Sequence, residues 1–231
     1  MREAIILAGG FGTRLAHVVS DVPKPMAPVC DKPFLQFILD DLAGKGVGRA
    51  VLAVGYKKEC IEAYFGESYA GMELVYSPED KPLFTGGAIR KAMGVVKGDR
   101  AFVINGDTYF DVDLDAMEQA HQSSCAVLTI AAKPMKEFDR YGTVEMDETG
   151  RIEAFREKQP CKEGKINGGI YLIEKEEMPV IEEEKFSFET AYMEAHVKDK
   201  AMYAFTSDGY FIDIGVPEDY ARAQKDFEAN E

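Results

Sequence analysis

The chain starts on an apolar run, Ala4-Ile5-Ile6-Leu7, that breaks directly into Ala8-Gly9-Gly10-Phe11-Gly12-Thr13-Arg14-Leu15, with Pro23-Lys24-Pro25 a little further on. The run reads as a buried strand, and Leu15–Ser20 as a short helix behind a glycine loop. In such a loop backbone N–H groups can turn toward an anion that approaches without meeting a Cβ. The helix N-terminus adds partial positive charge. Arg14 and Lys24 are placed to neutralise whatever the loop holds. The plainer alternative is a tight turn with no ligand, and the two cations favour the anion.

Two commoner phosphate loops fail on residues. A Walker-type loop needs Gly-Lys-Ser/Thr at its end, whereas this run closes Gly12-Thr13-Arg14. A dinucleotide fingerprint counted from Gly10 and Gly12 needs a third glycine where Leu15 stands.

With 231 residues, 46% of them hydrophobic, the chain can bury a sizeable core, and one domain over 1–231 is expected. A formal net charge of −14 argues against nucleic acid or an anionic membrane as partner. The start, Met1-Arg2-Glu3 and a short apolar run, does not read as a signal peptide. No stretch approaches the roughly 20 apolar residues of a membrane span. Cys30, Cys60, Cys125 and Cys161 lie far apart without a C-x-x-C pair, so reduced thiols in a cytoplasm are expected. His17, His121 and His196 are scattered and read as surface or internally satisfied residues.

Strand and helix alternate through the first half. Glu3–Leu7, Ala50–Val54, Glu73–Tyr76 and Ala101–Ile104 read as strands. Helices are expected from Phe34 to Leu42 with Pro33 in the first turn, then over Lys57–Phe65, Gly87–Val96 and Leu114–Gln122. In the second half strands dominate: Ala126–Ala131, Thr143–Met146, Ile152–Phe155, Gly168–Ile173, Met202–Phe205 and Tyr210–Ile212. Asp147-Glu148-Thr149-Gly150 looks like a hairpin turn, Phe188–Val197 and Pro217–Phe227 like helices, and the acidic run Glu174–Glu184 like a solvated face or loop. The fold class expected is α/β: a Rossmann-like three-layer α/β/α arrangement on a mixed, mostly parallel sheet. Residues 1–122 form the nucleotide-binding half and 123–231 the acceptor-binding half.

Asn105-Gly106-Asp107 closes a strand at the edge where open α/β sheets bind ligands. Asp107 is there either a hard oxygen ligand suited to Mg²⁺ or the cap of a helix. Asp213, set among apolar residues at a strand end, meets a metal or serves as a cap or ion-pair partner. Thr85-Gly86-Gly87 is either a plain helix start or a place where backbone approaches a flat base, with Ser77–Asp80, Glu79 among them, supplying acceptors. Glu157-Lys158 and Asn167-Gly168-Gly169 are placed to put polar groups against a sugar.

These motifs, together with Asp31-Lys32-Pro33, Ile170-Tyr171 and Asp213-Ile214-Gly215, fall in one order along almost the whole chain. In that order the chain resembles the sugar-phosphate nucleotidylyltransferases, and within them the short heptose 1-phosphate guanylyltransferases. The resemblance implies the nucleotide-diphospho-sugar transferase fold and a reaction of an NTP, here GTP, with a sugar 1-phosphate, here D-glycero-α-D-manno-heptose 1-phosphate. The same skeleton serves mannose 1-phosphate guanylyltransferases and amino-sugar uridylyltransferases. It also implies roles. Backbone of Leu7, Ala8, Gly9, Gly10, Gly12 and Thr13 would hold base, ribose and phosphates, with Arg14 on the triphosphate. Glu79, Thr85, Gly86 and Gly87 would complete the nucleotide site. Lys24 would touch both phosphates, and Arg14, Lys24 and Asp107 would form the catalytic set. Asp107 and Asp213 would hold Mg²⁺, while Gly142, Glu157, Lys158, Asn167 and Tyr171 would face the sugar. Two departures bear on specificity: Phe84 stands where many relatives carry glycine, and Lys158-Gln159-Pro160 has one residue more than the commoner Glu-Lys-Pro. The sequence leaves room for a homo-oligomer. The alternatives from other classes are a nucleotide-sugar-binding regulatory module without turnover, and a glycosyltransferase. A glycosyltransferase would use an Asp-x-Asp motif such as Asp111-Val112-Asp113, which reads instead as helix capping.

Overall fold

A computed structural model describes residues 1–10, 22–156, 158–178 and 181–229. The expected helix Leu15–Ser20, and with it Gly12, Thr13 and Arg14, lies outside the described residues, as does Glu157. The front half runs β1 (Arg2–Ala8), β2 (Pro28–Val29), β3 (Lys32–Pro33), α1 (Phe34–Gly44), β4 (Val47–Val54) and α2 (Lys58–Phe65). It continues through β5 (Ser68–Tyr69), β6 (Met72–Pro78), α3 (Phe84–Met93), β7 (Arg100–Asn105), β8 (Thr108–Phe110) and α4 (Leu114–Ser123). The back half carries β9 (Leu128–Phe138), β10 (Thr143–Met146), β11 (Ile152–Arg156) and β12 (Cys161–Glu174), then a π-helical turn at Glu189–Glu194. β13 (Met202–Thr206), β14 (Phe211–Asp213) and α5 (Pro217–Glu228) close it.

The main sheet has the order β11-β10-β12-β7-β1-β4-β6-β5, with β9 paired to β12 and β13. Its centre is parallel: β1 lies between β4 and β7, and β4 pairs with β6. The back half joins this centre antiparallel, β12 against β7 and β9 against β12. The chain winds outward from β1 through β4 to β6, then returns to place β7 on the other side of β1. That reversal leaves a crevice between the carboxyl ends of β1 and β7, the usual ligand position in an open α/β sheet.

Alternation along β1 explains the layers. Ala4, Ile6 and Ala8 face a core built with α1, α2, α4 and α5, while Ile5 faces one built with α3 and the π-helical turn. With both faces covered, β1 carries no polar residue between Ala4 and Ala8. Pro33 ends β3 and stands just ahead of α1 rather than inside its first turn. Asp113 caps α4, its carboxylate accepting the Ala116 N–H at 2.9 Å, as expected for the second acid of the Asp-x-Asp spacing. Asp147 accepts the N–H groups of Thr149 and Arg151 and so shapes the hairpin turn between β10 and β11. His121 is buried, with Thr129 and Glu174 on its two ring nitrogens.

Candidate active site

Each element of the crevice is set by local chemistry. Leu7 pairs with Asn105, and the Gly106 N–H donates to Leu7 O at 3.0 Å, which locks the ends of β1 and β7 together. Lys24 opens a single 3₁₀ turn, Lys24–Met26, in which prolines at 23 and 25 restrict the backbone. Pro25 and Met26 are buried and anchor the turn. Asp213 reaches the crevice because β14 pairs antiparallel with β8, in register Asp213 to Thr108. Ile214 N–H donates to Asp107 O at 3.0 Å and fixes that approach.

The result is a three-residue charge cluster. Lys24 Nζ donates to Asp107 Oδ2 at 2.5 Å and lies 3.8 Å from Asp213 Oδ1. The lysine side chain is only 10% exposed, whereas those of Asp107 and Asp213 keep 35% and 27%. Gly215 N–H donates to Asp213 Oδ1 at 2.7 Å. A Cβ on Gly215 would stand 2.8 Å from that oxygen and 3.1 Å from Lys24 Nζ, so glycine here makes room for the cluster.

Beside it opens a pocket of about 730 Å³. Lys24, Asp107, Leu7, Gly9, Gly10, Glu79 and Thr85 are among the residues that line it. Glu79 Oε2 accepts the Leu83 N–H at 2.9 Å. Burial pushes its carboxyl above the ordinary carboxylate range, against the opposing pull of that N–H and of Lys91. Ala8 buries its side chain in the core, so only its backbone is available to a ligand.

Several expected positions have other work. Gly86 and Gly87 do not offer a surface to a base: both N–H groups point to Phe186 O, at 2.9 and 3.4 Å. A Cβ on Gly86 would fall 2.1 Å from the Phe186 ring, and one on Gly87 2.4 Å from Glu184 O. These glycines admit the segment 181–187, which Arg90 grips through the carbonyls of Ile181, Glu183 and Glu184. In the last part of the acidic run Glu182, Glu183 and Glu184 expose their side chains while Arg90 holds the backbone. Glu174 instead ends β12 half-buried against His121 and Arg100. Thr85 is likewise engaged, donating to Glu189 Oε2 at 2.6 Å and accepting the Phe188 N–H.

On the sugar side, Tyr171 is fully buried, stacked edge-on against Phe188, and its hydroxyl accepts from Asn167 Nδ2 at 2.9 Å. It supports Asn167 rather than facing a ligand. Asn167 Oδ1 in turn accepts the Gly169 N–H, pinning an irregularity in β12 where its register against β9 shifts between Asn167 and Tyr171. Gly142 is tight against Arg156 O, 2.7 Å from a notional Cβ. Lys158 is exposed. None of Gly142, Lys158, Asn167 and Tyr171 lines the pocket. Ser187 and Glu189 do line it, although the sequence marks neither. Glu189 belongs to the π-helical turn and accepts from both Thr85 and Ser187. A helical-period reading places it but gives it no chemistry.

A glycine-lined cleft at a sheet switch point, with a lysine between two acids, suits a polyphosphate. A family model described as Nucleotidyl transferase matches residues 3–230. The chain is 50% identical to a D-glycero-alpha-D-manno-heptose 1-phosphate guanylyltransferase of Aneurinibacillus thermoaerophilus, over 98% of each chain. It is 49% identical to the enzyme of the same name from Campylobacter jejuni, over 94% of this chain and 96% of that one. The crystal structure of HddC from Yersinia pseudotuberculosis superposes with a TM-score of 0.89 at 34% identity, covering 98% of this chain and 100% of the other. HddC is also known complexed with GMP-PN, and that structure superposes with a TM-score of 0.87. The chain belongs to the nucleotidyl transferase family.

Proposed function

We propose that this chain joins GTP to D-glycero-α-D-manno-heptose 1-phosphate, forming a GDP-sugar and releasing pyrophosphate. Near full-length likeness to two heptose 1-phosphate guanylyltransferases supports the sugar, and the HddC complex supports the base. The chemistry rests on one observation, Lys24 held between Asp107 and Asp213 beside the pocket.

An oxygen of the sugar 1-phosphate attacks the α-phosphorus, and the bond from that phosphorus to pyrophosphate breaks. The nucleophile is already ionised near neutral pH, because the second pKa of a phosphate monoester is about 6. No general base is needed. The obstacle is repulsion between two polyanions, so the task of the protein is to hold them in line and offset charge. Lys24 takes the α-phosphate and the incoming sugar phosphate, and Arg14, assigned by the motif, takes the triphosphate. Gly9 and Gly10 let the nucleotide lie close to the backbone at the end of β1.

The cluster itself argues for a further cation. Asp107 and Asp213 set two hard oxygen donors about the Lys24 ammonium. Both carboxylates lie within 3.8 Å of Lys24 Nζ, and Mg²⁺ takes one or two carboxylates and completes its shell with phosphate oxygens and water. Among the described residues no group of three acids, histidines or cysteines could hold a metal alone. A pair that the substrate completes fits that chemistry. Asp107 and Asp213 would hold Mg²⁺, which when bound offsets phosphate charge during transfer.

We place the reaction in the cytoplasm, where NTPs are supplied. All four cysteines are thiols rather than disulfides, and among the described residues no helix is long and apolar enough to cross a membrane. The test is pyrophosphate release across the common NTPs and a panel of sugar 1-phosphates including mannose 1-phosphate, with and without EDTA. GTP with the manno-heptose 1-phosphate is expected to give the highest kcat/KM, and excess EDTA to abolish it. A higher kcat/KM for mannose 1-phosphate or for UTP overturns the substrate assignment. Activity that survives EDTA removes the metal from Asp107 and Asp213.

A further inference from the structure

Phe84 is the first residue of α3 and lines the pocket, yet it is 57% exposed and its backbone φ is +58°. A bulky residue in the left-handed region is strained, and such strain persists only where neighbours impose it. They do so here. Leu83 N–H is held by Glu79, Phe186 N–H donates to Leu83 O at 3.2 Å, and Gly86 N–H donates to Phe186 O. With both sides pinned, the Phe84 ring is turned out of the core into the pocket mouth, where it stabilises nothing by burial. Glycine would take the same φ without strain.

The ring is also polarised. Lys185 Nζ lies 4.2 Å from its centroid and does not itself line the pocket. One face therefore carries a cation and the other remains for a partner. Gly9, Gly10 and the carboxylate of Glu79, which accepts the N–H of the adjacent Leu83, line the same pocket and set polar groups beside the aromatic face. A flat, electron-rich heterocycle with N–H donors on its rim satisfies both at once.

We propose that Phe84 is the stacking platform for the nucleobase and favours a purine, whose larger π-face covers more of the ring. The inference rests on the reading of the pocket as a nucleotide site, and it goes beyond that reading by assigning base affinity to a residue that departs from the family pattern. Stacking on an aromatic side chain contributes enough that its removal weakens binding by about tenfold.

The test is equilibrium titration of GTP, ATP, UTP, CTP and dTTP into the wild-type protein, Phe84→Gly, Phe84→Leu and Phe84→Tyr, with a thermal melt of each. Phe84→Gly and Phe84→Leu are expected to raise the Kd for GTP about tenfold, and Phe84→Tyr to keep it near wild type. Phe84→Gly should melt at or above the wild type, because the strain is released. That combination of weaker binding with unimpaired folding separates a ligand contact from a structural one. The proposal is overturned if both non-aromatic variants bind the nucleotide preferred by the wild type with less than about a threefold change. If the wild type prefers another nucleotide, the GTP reading falls, and a pyrimidine preference overturns the purine assignment with it. The stacking role of Phe84 is then judged by the same ratio on that nucleotide. Binding of no nucleotide by the wild type overturns both.

Discussion

The two ends of β1 each carry a cluster of charges, and they are built in opposite ways. At the amino end Glu3 and Arg49 form a pair at 2.6 Å with side chains 3% and 5% exposed. The Glu3 carboxylate also accepts the N–H groups of Lys97 and Gly98, while Arg49 donates to Val95 O and lies 3.2 Å from Glu73. Beside the Arg49 guanidinium, the donors to the carboxylate are fixed backbone groups, and the pair is closed off from solvent. At the carboxyl end Lys24 faces two half-exposed acids beside an open pocket. The first cluster lies buried at the amino end of the strand, whereas the second borders the pocket. Burial, rather than the presence of an ion pair, distinguishes the two ends.

The sharpest way to break the comparison is to remove one charge at each end. Glu3→Gln leaves Arg49 buried with only the exposed Glu73 as counter-charge. Breaking a buried pair from one side costs about 3 kcal/mol, the low end of the usual range because Glu73 remains. Urea denaturation should show that loss, with kcat/KM close to wild type. A drop in turnover as large as the drop in stability would erase the distinction between the two ends.

Lys24→Met should show the opposite pattern. It keeps the stem and removes the ammonium, so kcat/KM should fall by about 10²-fold, or about 2.7 kcal/mol of transition-state stabilisation. The stability loss should be smaller, since water screens the partly exposed Asp107 and Asp213 left behind. Steady-state kinetics with GTP and the sugar phosphate, beside a melt of the same sample, checks both halves. Near-wild-type turnover in the folded variant would remove Lys24 from the chemistry.

What the sequence made legible follows the same divide between local and distant contacts. The strand running into glycines, the turn between prolines at Lys24 and the acid at the end of β7 are contiguous signals, and the structure brings Leu7, Gly9, Gly10, Lys24 and Asp107 to one pocket. Asp213 is recognisable as an acid out of place, but its partner is not. It meets Lys24 through two three-residue strands, β8 and β14, too short to announce their pairing. Gly86 and Gly87 mislead for the same reason: the groups that demand glycine, Phe186 and Glu184, lie about a hundred residues away. Tyr171 reads as a sugar contact within its motif, whereas the packing of Phe188 against it makes it core. Phe84 is visible only as a departure from pattern, since neither its φ nor its exposure is written in residue order.

The smallest effect is also the one that compares the two ends by sign. Burial alone would raise the Glu3 carboxyl, but the Gly98 and Lys97 N–H groups and the Arg49 guanidinium outweigh it and hold it below its ordinary 4.5. A depressed carboxyl stabilises the fold above its unfolded pKa, and that stabilisation is lost as pH falls from about 4.5 through the folded value. The stability gap between wild type and Glu3→Gln should therefore narrow on acidification, and it cannot exceed the gap at neutral pH. Glu79 is the reverse case at the carboxyl end: burial raises its carboxyl, so the ionised form costs stability above the unfolded pKa and the cost disappears as the group takes up its proton. Glu79→Gln should then be at least as stable as wild type near neutrality, with its advantage fading in acid. Urea curves at about pH 7 and about pH 4 for the three proteins measure both gaps. If acid moves wild-type stability in the same direction relative to both variants, the carboxylates share one electrostatic setting, and the contrast between a closed and an open end of β1 fails at its charges.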